Sequence, residues 1–138
     1  MKSVNNLFSS LQNGQKAKKH LIRIPKTKIV YDILNILLSE GYICGFTYVE
    51  SDFAQNHLLS DSKHKNQIQV LLKYVNEEPV IRKIKQVSSS GCRVYIGSKK
   101  IQDLPSIYFL ILSTSKGIMT AKKAKSLQIG GEILCRIM

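Results

Sequence analysis

Tryptophan is absent from this chain, and cysteine, proline and acidic side chains are all scarce. The three cysteines, Cys44, Cys92 and Cys135, lie far apart and form no Cys-x-x-Cys or Cys-His pair. Neither a disulfide framework nor a zinc site is therefore expected. His20, His57 and His64 share no ligand spacing, so no metal and no cofactor is expected. No apolar stretch approaches the roughly 20 residues that a membrane-spanning helix requires. The longest, Ile107 to Leu112, has the length of a strand.

Carboxylates number only 9, and no pair of them stands beside a nucleophile in a pattern that sequence reveals. Ser113 and Lys116 have Ser-x-x-Lys spacing, but the Lys-Thr-Gly and Ser-Asp-Asn partners of that chemistry are missing. Gly97-Ser98-Lys99 lacks the rest of a phosphate-binding P-loop. The chain is not expected to be an enzyme.

What is abundant is positive charge. Against those carboxylates stand 21 Lys and Arg, a net charge of +12, with a pI near 9.8. A surplus of this size favours phosphate contacts over a neutral small-molecule cleft. Nucleic acid is the expected partner, ahead of an anionic membrane surface. Arg23, Arg82, Arg93 and Arg136 are the only guanidinium groups; lysine, a compact point charge, neutralises phosphate without bidentate recognition. Frequent Lys, Ile, Asn and Tyr fit coding DNA rich in A and T, as in an organelle genome or an AT-rich bacterium. With 138 residues, the chain suits one compact unit or two small lobes.

Val4, Leu7, Phe8 and Leu11 recur at helical spacing behind Ser3 as a possible cap, with Gly14 as a stop. A basic run, Lys16, Lys18, Lys19 and His20, precedes a strand Leu21–Ile24 closed by Pro25. Ile29, Val30, Ile33, Leu34, Leu37 and Leu38 make a second helical stripe between Thr27 and Gly41. Strands are expected at 42–49 and 68–75, with a long exposed loop at 50–66 between them. The turn Asn76-Glu77-Glu78-Pro79 marks a boundary between lobes 1–76 and 77–138. In the second half, strands are expected at 80–87, 92–96, 107–112 and 132–137. Thr120 is expected to cap a short lysine-rich helix from Ala121 to about Leu127, which Gly130-Gly131 ends.

Two segments suit nucleic acid. Ser113-Thr114-Ser115-Lys116-Gly117 gathers three hydroxyls, an ammonium and a glycine; such a turn can meet ribose, phosphate or base edges, or be an ordinary polar turn. Thr120, Lys122, Lys123 and Lys125 make a helix start in a basic segment, either a phosphate site or a solvated lysine face.

Taken together, Leu112-Ser113-Thr114-Ser115-Lys116-Gly117-Ile118-Met119-Thr120 and Gly130-Gly131-Glu132-Ile133-Leu134-Cys135 resemble the signature of the small-subunit ribosomal protein eight family. Asn13-Gly14, Pro25-Lys26-Thr27-Lys28, Glu40-Gly41-Tyr42-Ile43, Ser90-Gly91-Cys92-Arg93-Val94-Tyr95 and Leu104-Pro105 fit in order, so the resemblance spans almost the whole chain. It departs from the family's pattern at Ser89-Ser90, where Arg-Pro is usual. A glycine-rich stretch usual after Leu-Pro is missing, and lysines replace the usual residues after Thr120.

The resemblance implies an α/β (α+β) fold of two tightly packed lobes, the C-terminal one mostly strands with a short helix. It implies a structural, primary rRNA-binding protein that stabilises the central domain of small-subunit rRNA, with ribosomal protein five as a neighbour. The family's RNA contacts map onto Tyr95, Ser113, Thr114, Ser115, Lys116 and Glu132. Tyr95 would stack on a base, and Glu132 would orient groups or accept from a base amino group. Gly117, Arg93, Thr120, Lys122, Lys123, Lys16, Lys18 and Lys19 complete the expected RNA-binding set. The family's first helix aligns from about Asn5, which implies that the basic start is mature protein and not a cleaved leader. Together with the departures, this favours an organelle-encoded protein of the mitochondrial matrix over a plastid or bacterial one. The alternative is a free regulatory RNA-binding protein acting on a messenger hairpin.

Overall fold

The computed structural model describes residues 2–49, 66–105 and 107–138. The element order is α1 (Lys2–Lys16), β1 (Leu21–Pro25), α2 (Lys28–Ser39), β2 (Ile43–Val49), β3 (Gln67–Leu72), β4 (Tyr74–Val75) and β5 (Glu78–Pro79). It continues with β6 (Ile84–Gln86), β7 (Tyr95–Ile96), α3 (Ser98–Gln102), β8 (Phe109–Thr114), β9 (Gly117–Thr120), α4 (Ala121–Ser126) and β10 (Gly131–Ile137). This is an α+β fold. The expected loop at 50–66 lies outside the described residues except for Asn66.

Both amphipathic stripes form helices whose apolar faces are core. The α1 helix buries Val4, Leu7, Phe8 and Leu11; α2 buries Val30, Ile33, Leu34 and Leu37 and leaves Ile29 and Leu38 exposed. Thr27 caps α2, its hydroxyl accepting from the Val30 amide at 3.3 Å. The α1 boundaries correct the sequence reading. Ser3 lies inside the helix and is not its cap, and Gly14 does not stop it. A Cβ on Gly14 would come within 2.7 Å of Ile22 Cγ2, so the glycine is where α1 meets β1.

The first sheet has the order β1-β3-β2, antiparallel throughout. Its apolar residues Ile22, Ile24, Ile68, Val70 and Leu72 are buried. The expected strand 68–75 breaks at Lys73, whose carbonyl accepts from the Gln15 side chain and the Val80 amide. Tyr74–Val75 then pairs with Glu78–Pro79 in a hairpin. Its two tip residues, Asn76 and Glu77, have φ of 51° and 63°, the left-handed pair of a tight hairpin turn.

The second sheet runs β6-β10-β8-β9, with β7 beside β6 on the same edge of β10. Here the sequence expectations need most correction. The strand at 80–87 shortens to Ile84–Gln86 because the Arg82 and Lys83 amides both turn to the Met138 carbonyl at 2.9 Å. That at 92–96 shortens to Tyr95–Ile96. The strand expected at 107–112 is shifted by two, and Ile107 is 87% exposed. The α3 helix and the β9 strand were not expected at all.

One cluster of buried side chains joins the two sheets. Leu7 and Leu11 of α1 and Leu34 and Leu37 of α2 belong to it together with Ile81, Ile84, Ile111, Leu134, Cys135 and Ile137. Gln15, buried in the same region, joins α1 to the crossover: Nε2 donates to the Lys73 carbonyl at 3.2 Å and Oε1 accepts from the Ile81 amide at 3.0 Å. A second, smaller cluster lies on the other face of the second sheet, where Leu112 and Met119 meet Ile101 of α3 and Ala124 of α4.

Candidate nucleic-acid interface

In the second sheet, Glu132 stands opposite Tyr95 across β7 and opposite Ser113 across β8. Ser113 in turn faces Ile118 across β9. Directly opposed residues share a face of a sheet, so Tyr95, Glu132 and Ser113 form a transverse row. Two steps between neighbouring strands make the row about 10 Å long. Ile111, two residues along β8, closes the same face into the shared core. At the row itself the face opens, and Tyr95 is 70% exposed.

The Gly130-Gly131 pair makes this convergence possible. A Cβ on Gly130 would lie 2.5 Å from the Ile96 carbonyl oxygen, and one on Gly131 would lie 2.4 Å from that of Ser113. The sequence reading made these glycines a helix end. In the structure α4 ends at Ser126 with Leu127 as its cap, and the glycines admit three backbones to one point.

The loop before Tyr95 is also fixed from within. Ser88 is fully buried; its hydroxyl accepts from the Val94 amide at 3.0 Å and donates to the Val94 carbonyl at 3.3 Å. The Ile133 amide donates to that carbonyl as well. Arg93 and Tyr95, on either side of Val94, are thereby held against β10. Arg93 Nη1 donates to both Glu132 oxygens, at 3.1 and 3.3 Å. The row is an exposed ring, a carboxylate neutralised by a guanidinium, and a hydroxyl.

The hairpin between β8 and β9 extends the row. Thr114 pairs with Gly117, leaving Ser115 and Lys116 at the tip. Thr114 Oγ1 donates to the Gly117 carbonyl at 2.7 Å and accepts from the Lys116 amide at 3.2 Å. Its hydroxyl is thus engaged in holding the turn. Gly117 has φ of 107°, a conformation side chains rarely adopt. Among the described residues, the Ser113 and Ser115 hydroxyls have no hydrogen-bond partner.

The remaining expected residues stand elsewhere. Thr120 is buried, and its hydroxyl accepts from the Lys123 amide at 3.2 Å as the cap of α4. Lys122 and Lys123 are exposed on α4, on the far face of the sheet from the row. Lys16, Lys18 and Lys19 are exposed where α1 turns into β1, and no strand pair joins them to the row. Sequence reasoning left out Ser88, Gly130 and Gly131 as parts of the site. A glycine pair before a strand was the available signal for the last two. Among the described residues no group of three or more potential metal ligands is assembled.

The family model described as "Ribosomal protein S8" matches residues 2–138. "Small ribosomal subunit protein uS8" of Leptospira biflexa is 41% identical over 136 residues, covering 97% of this chain and 95% of the relative. The protein of the same name from Anaplasma marginale is 40% identical over 138 residues, with coverages of 97% and 95%. "Small ribosomal subunit protein uS8c" of Phaeodactylum tricornutum is 39% identical over 139 residues, with coverages of 98% and 96%.

Proposed function

The chain belongs to the ribosomal protein S8 family, a structural, non-enzymatic constituent of the small ribosomal subunit, and from that premise we propose that it holds rRNA on the Tyr95–Glu132–Ser113 row. Tyr95 offers an exposed ring for an unstacked base. The Ser113 and Ser115 hydroxyls read ribose or base edges, Lys116 meets phosphate, and Arg93 neutralises Glu132 so that a carboxylate can lie beside RNA. The observation that carries the reading is the pair of unengaged hydroxyls, Ser113 and Ser115, beside an exposed aromatic ring on a rigid sheet. Thr114 and Gly117 shape the turn and need not touch RNA.

The bound element is a helix of the central domain, which the protein stabilises during assembly and translation. Residues 77–138 supply most of the affinity. The N-terminal lobe, residues 1–76, adds electrostatic contacts through Lys16, Lys18 and Lys19, and ribosomal protein five is the neighbour. The compartment we propose is the mitochondrial matrix, supported by the frequency of Lys, Ile, Asn and Tyr; mass spectrometry of purified mitochondrial small subunits tests it.

Filter binding of the full chain to small-subunit rRNA transcribed in vitro tests the interface. Tyr95→Ala should weaken binding by about 1–3 kcal/mol, the worth of one base–aromatic stack. An unchanged affinity with the fold intact by circular dichroism would refute it.

A further inference from the structure

The second sheet has a charged back. Ile96, Leu112, Met119 and Ile133 face away from the Tyr95 row and pack against α3 and α4, whose buried residues are Ile101 and Ala124. Lys99 precedes Ile101 by two positions and Lys122 precedes Ala124 by two. At about 100° per residue this puts both on the outer side of their helices. Lys100 and Lys123, one position before the same anchors, flank them. All four are exposed. Lys125 closes the gap between the helices, its Nζ donating to the Gln102 carbonyl at 2.7 Å.

Acidic groups are sparse around this pad. Asp103 caps α3, and Glu40 lines a groove of about 450 Å³ with Lys122 and Lys123. Among the described residues the ion pairs are Arg82–Glu78 and Arg93–Glu132, so none of the five lysines is paired with a carboxylate. A cluster of unpaired ammonium groups on a packed, two-helix support is suited to a polyphosphate backbone.

We infer that Lys99, Lys100, Lys122 and Lys123 form a second RNA contact, which binds the phosphates of an rRNA segment other than the one on the Tyr95 row. The inference rests on the reading of this chain as an rRNA-binding protein. It goes further by making the second sheet a wedge with RNA on both sides. The packed layer of Ile96, Leu112, Met119 and Ile133 against Ile101 and Ala124 lies between the two surfaces, so the row and the pad stand on opposite faces of the sheet. The row reads an irregular RNA surface through hydroxyls and a ring. The pad, which has only point charges, is indifferent to sequence.

The test compares salt dependence on two RNAs. The first is the complete small-subunit rRNA transcribed in vitro; the second is its shortest fragment that retains Ser115-dependent binding. The full-length variant Lys99→Gln/Lys100→Gln/Lys122→Gln should give a plot of log affinity against log salt that is shallower by about 2–3 on complete rRNA, close to 0.7–0.9 for each lost phosphate contact. On the fragment its slope should equal that of the unmodified protein. Equal losses on both RNAs would overturn the inference, since the pad would then touch the same helix. An unchanged slope on both would overturn it too. Should the slope stay unchanged while incorporation into subunits falls, the pad binds an acidic protein surface instead. A separate outcome tests the row: if Ser115→Ala binds complete rRNA like the unmodified protein, the row reading fails, whatever the lysine variant does.

Discussion

Arg93 donates from a single nitrogen to both carboxylate oxygens of Glu132, at 3.1 and 3.3 Å. The Glu132 side chain is only 12% exposed, whereas that of Arg93 is 46% exposed, so the carboxylate is the more committed partner. As a contribution to folding such a partly exposed pair is worth about 1 kcal/mol or less. Its larger effect is on the charge of the row. Without Arg93, an uncompensated carboxylate sits between Tyr95 and Ser113, where RNA phosphate would repel it.

Arg93→Ala is therefore expected to lower RNA affinity about tenfold, some 1.4 kcal/mol, with little loss of stability. Arg93→Ala/Glu132→Gln should recover part of that loss by removing the orphaned charge. A double variant that binds worse than Arg93→Ala alone would contradict the pairing argument. Filter binding at fixed salt measures both.

Thr114 and Ser115 are neighbours with opposite duties. Ser115→Ala should leave the melting temperature unchanged and weaken binding by about 1–3 kcal/mol, the cost of a hydrogen bond whose partner is left unsatisfied. Thr114→Val removes both turn contacts of its hydroxyl and should lower stability by about 0.5–1.5 kcal/mol. Thermal melts and binding curves of the two variants separate these roles; a reversal of the pattern would exchange the assignments.

The glycine pair and the strand register show what was legible in the sequence and what was not. Both long helices were readable because α1 and α2 each repeat apolar residues at 3.6-residue spacing. The cap at Thr120 followed from local chemistry, a hydroxyl reaching the third amide onward, whereas Thr27 was read only as the start of α2, which it caps in the same way. The strand ends of the second sheet were not readable, because they are set by partners distant in sequence. The apolar run Ile107–Leu112 pointed to a strand but not to its register, which β9 and β10 decide. Lys99 and Lys100 follow the strand expected at 92–96 and carry no helical signal, because α3 is held chiefly by a single buried residue, Ile101. The row residues Tyr95, Ser113 and Glu132 were named through family resemblance. That Arg93 neutralises Glu132 and Gly131 admits Ser113 depends on contacts between segments distant in sequence.

Gly131→Ala should consequently behave as a site variant although glycine carries no chemistry. Its Cβ meets backbone at Ser113, which cannot rotate aside as a side chain does. Separating β10 from β8 should cost about 1–3 kcal/mol of stability and scatter the row. A melting temperature and affinity equal to those of the unmodified protein would show that the approach is not needed.

Gln15→Leu tests the junction between the sheets. The substitution leaves the Ile81 amide and a Lys73 carbonyl lone pair without the partner that α1 supplies. At about 1–3 kcal/mol for an unsatisfied buried group, urea unfolding should show a loss of at least about 1 kcal/mol. No loss would mean that the crossover is held by its other contacts alone.

Cys135 lies in the shared core, and burial pushes its thiol up to about 12 despite an opposing hydrogen bond with the Ile111 backbone. A raised acid stays neutral, so near pH 8 the native protein should be alkylated quickly at exposed Cys44 and Cys92 and at Cys135 only after unfolding. The neutral thiol also contributes stability that is intact below the ordinary thiol range and is lost as pH rises towards 12. Mass spectrometry of the alkylated native protein showing three modified thiols would contradict this placement.

The most direct measurement is ultraviolet crosslinking of purified small subunits, followed by mass spectrometry of the nucleotide-bearing peptides from this chain. The account predicts a small-subunit rRNA nucleotide on Tyr95, with further adducts at the Ser113–Lys116 tip. Crosslinks confined to residues 2–49, with Tyr95 unmodified, would contradict it.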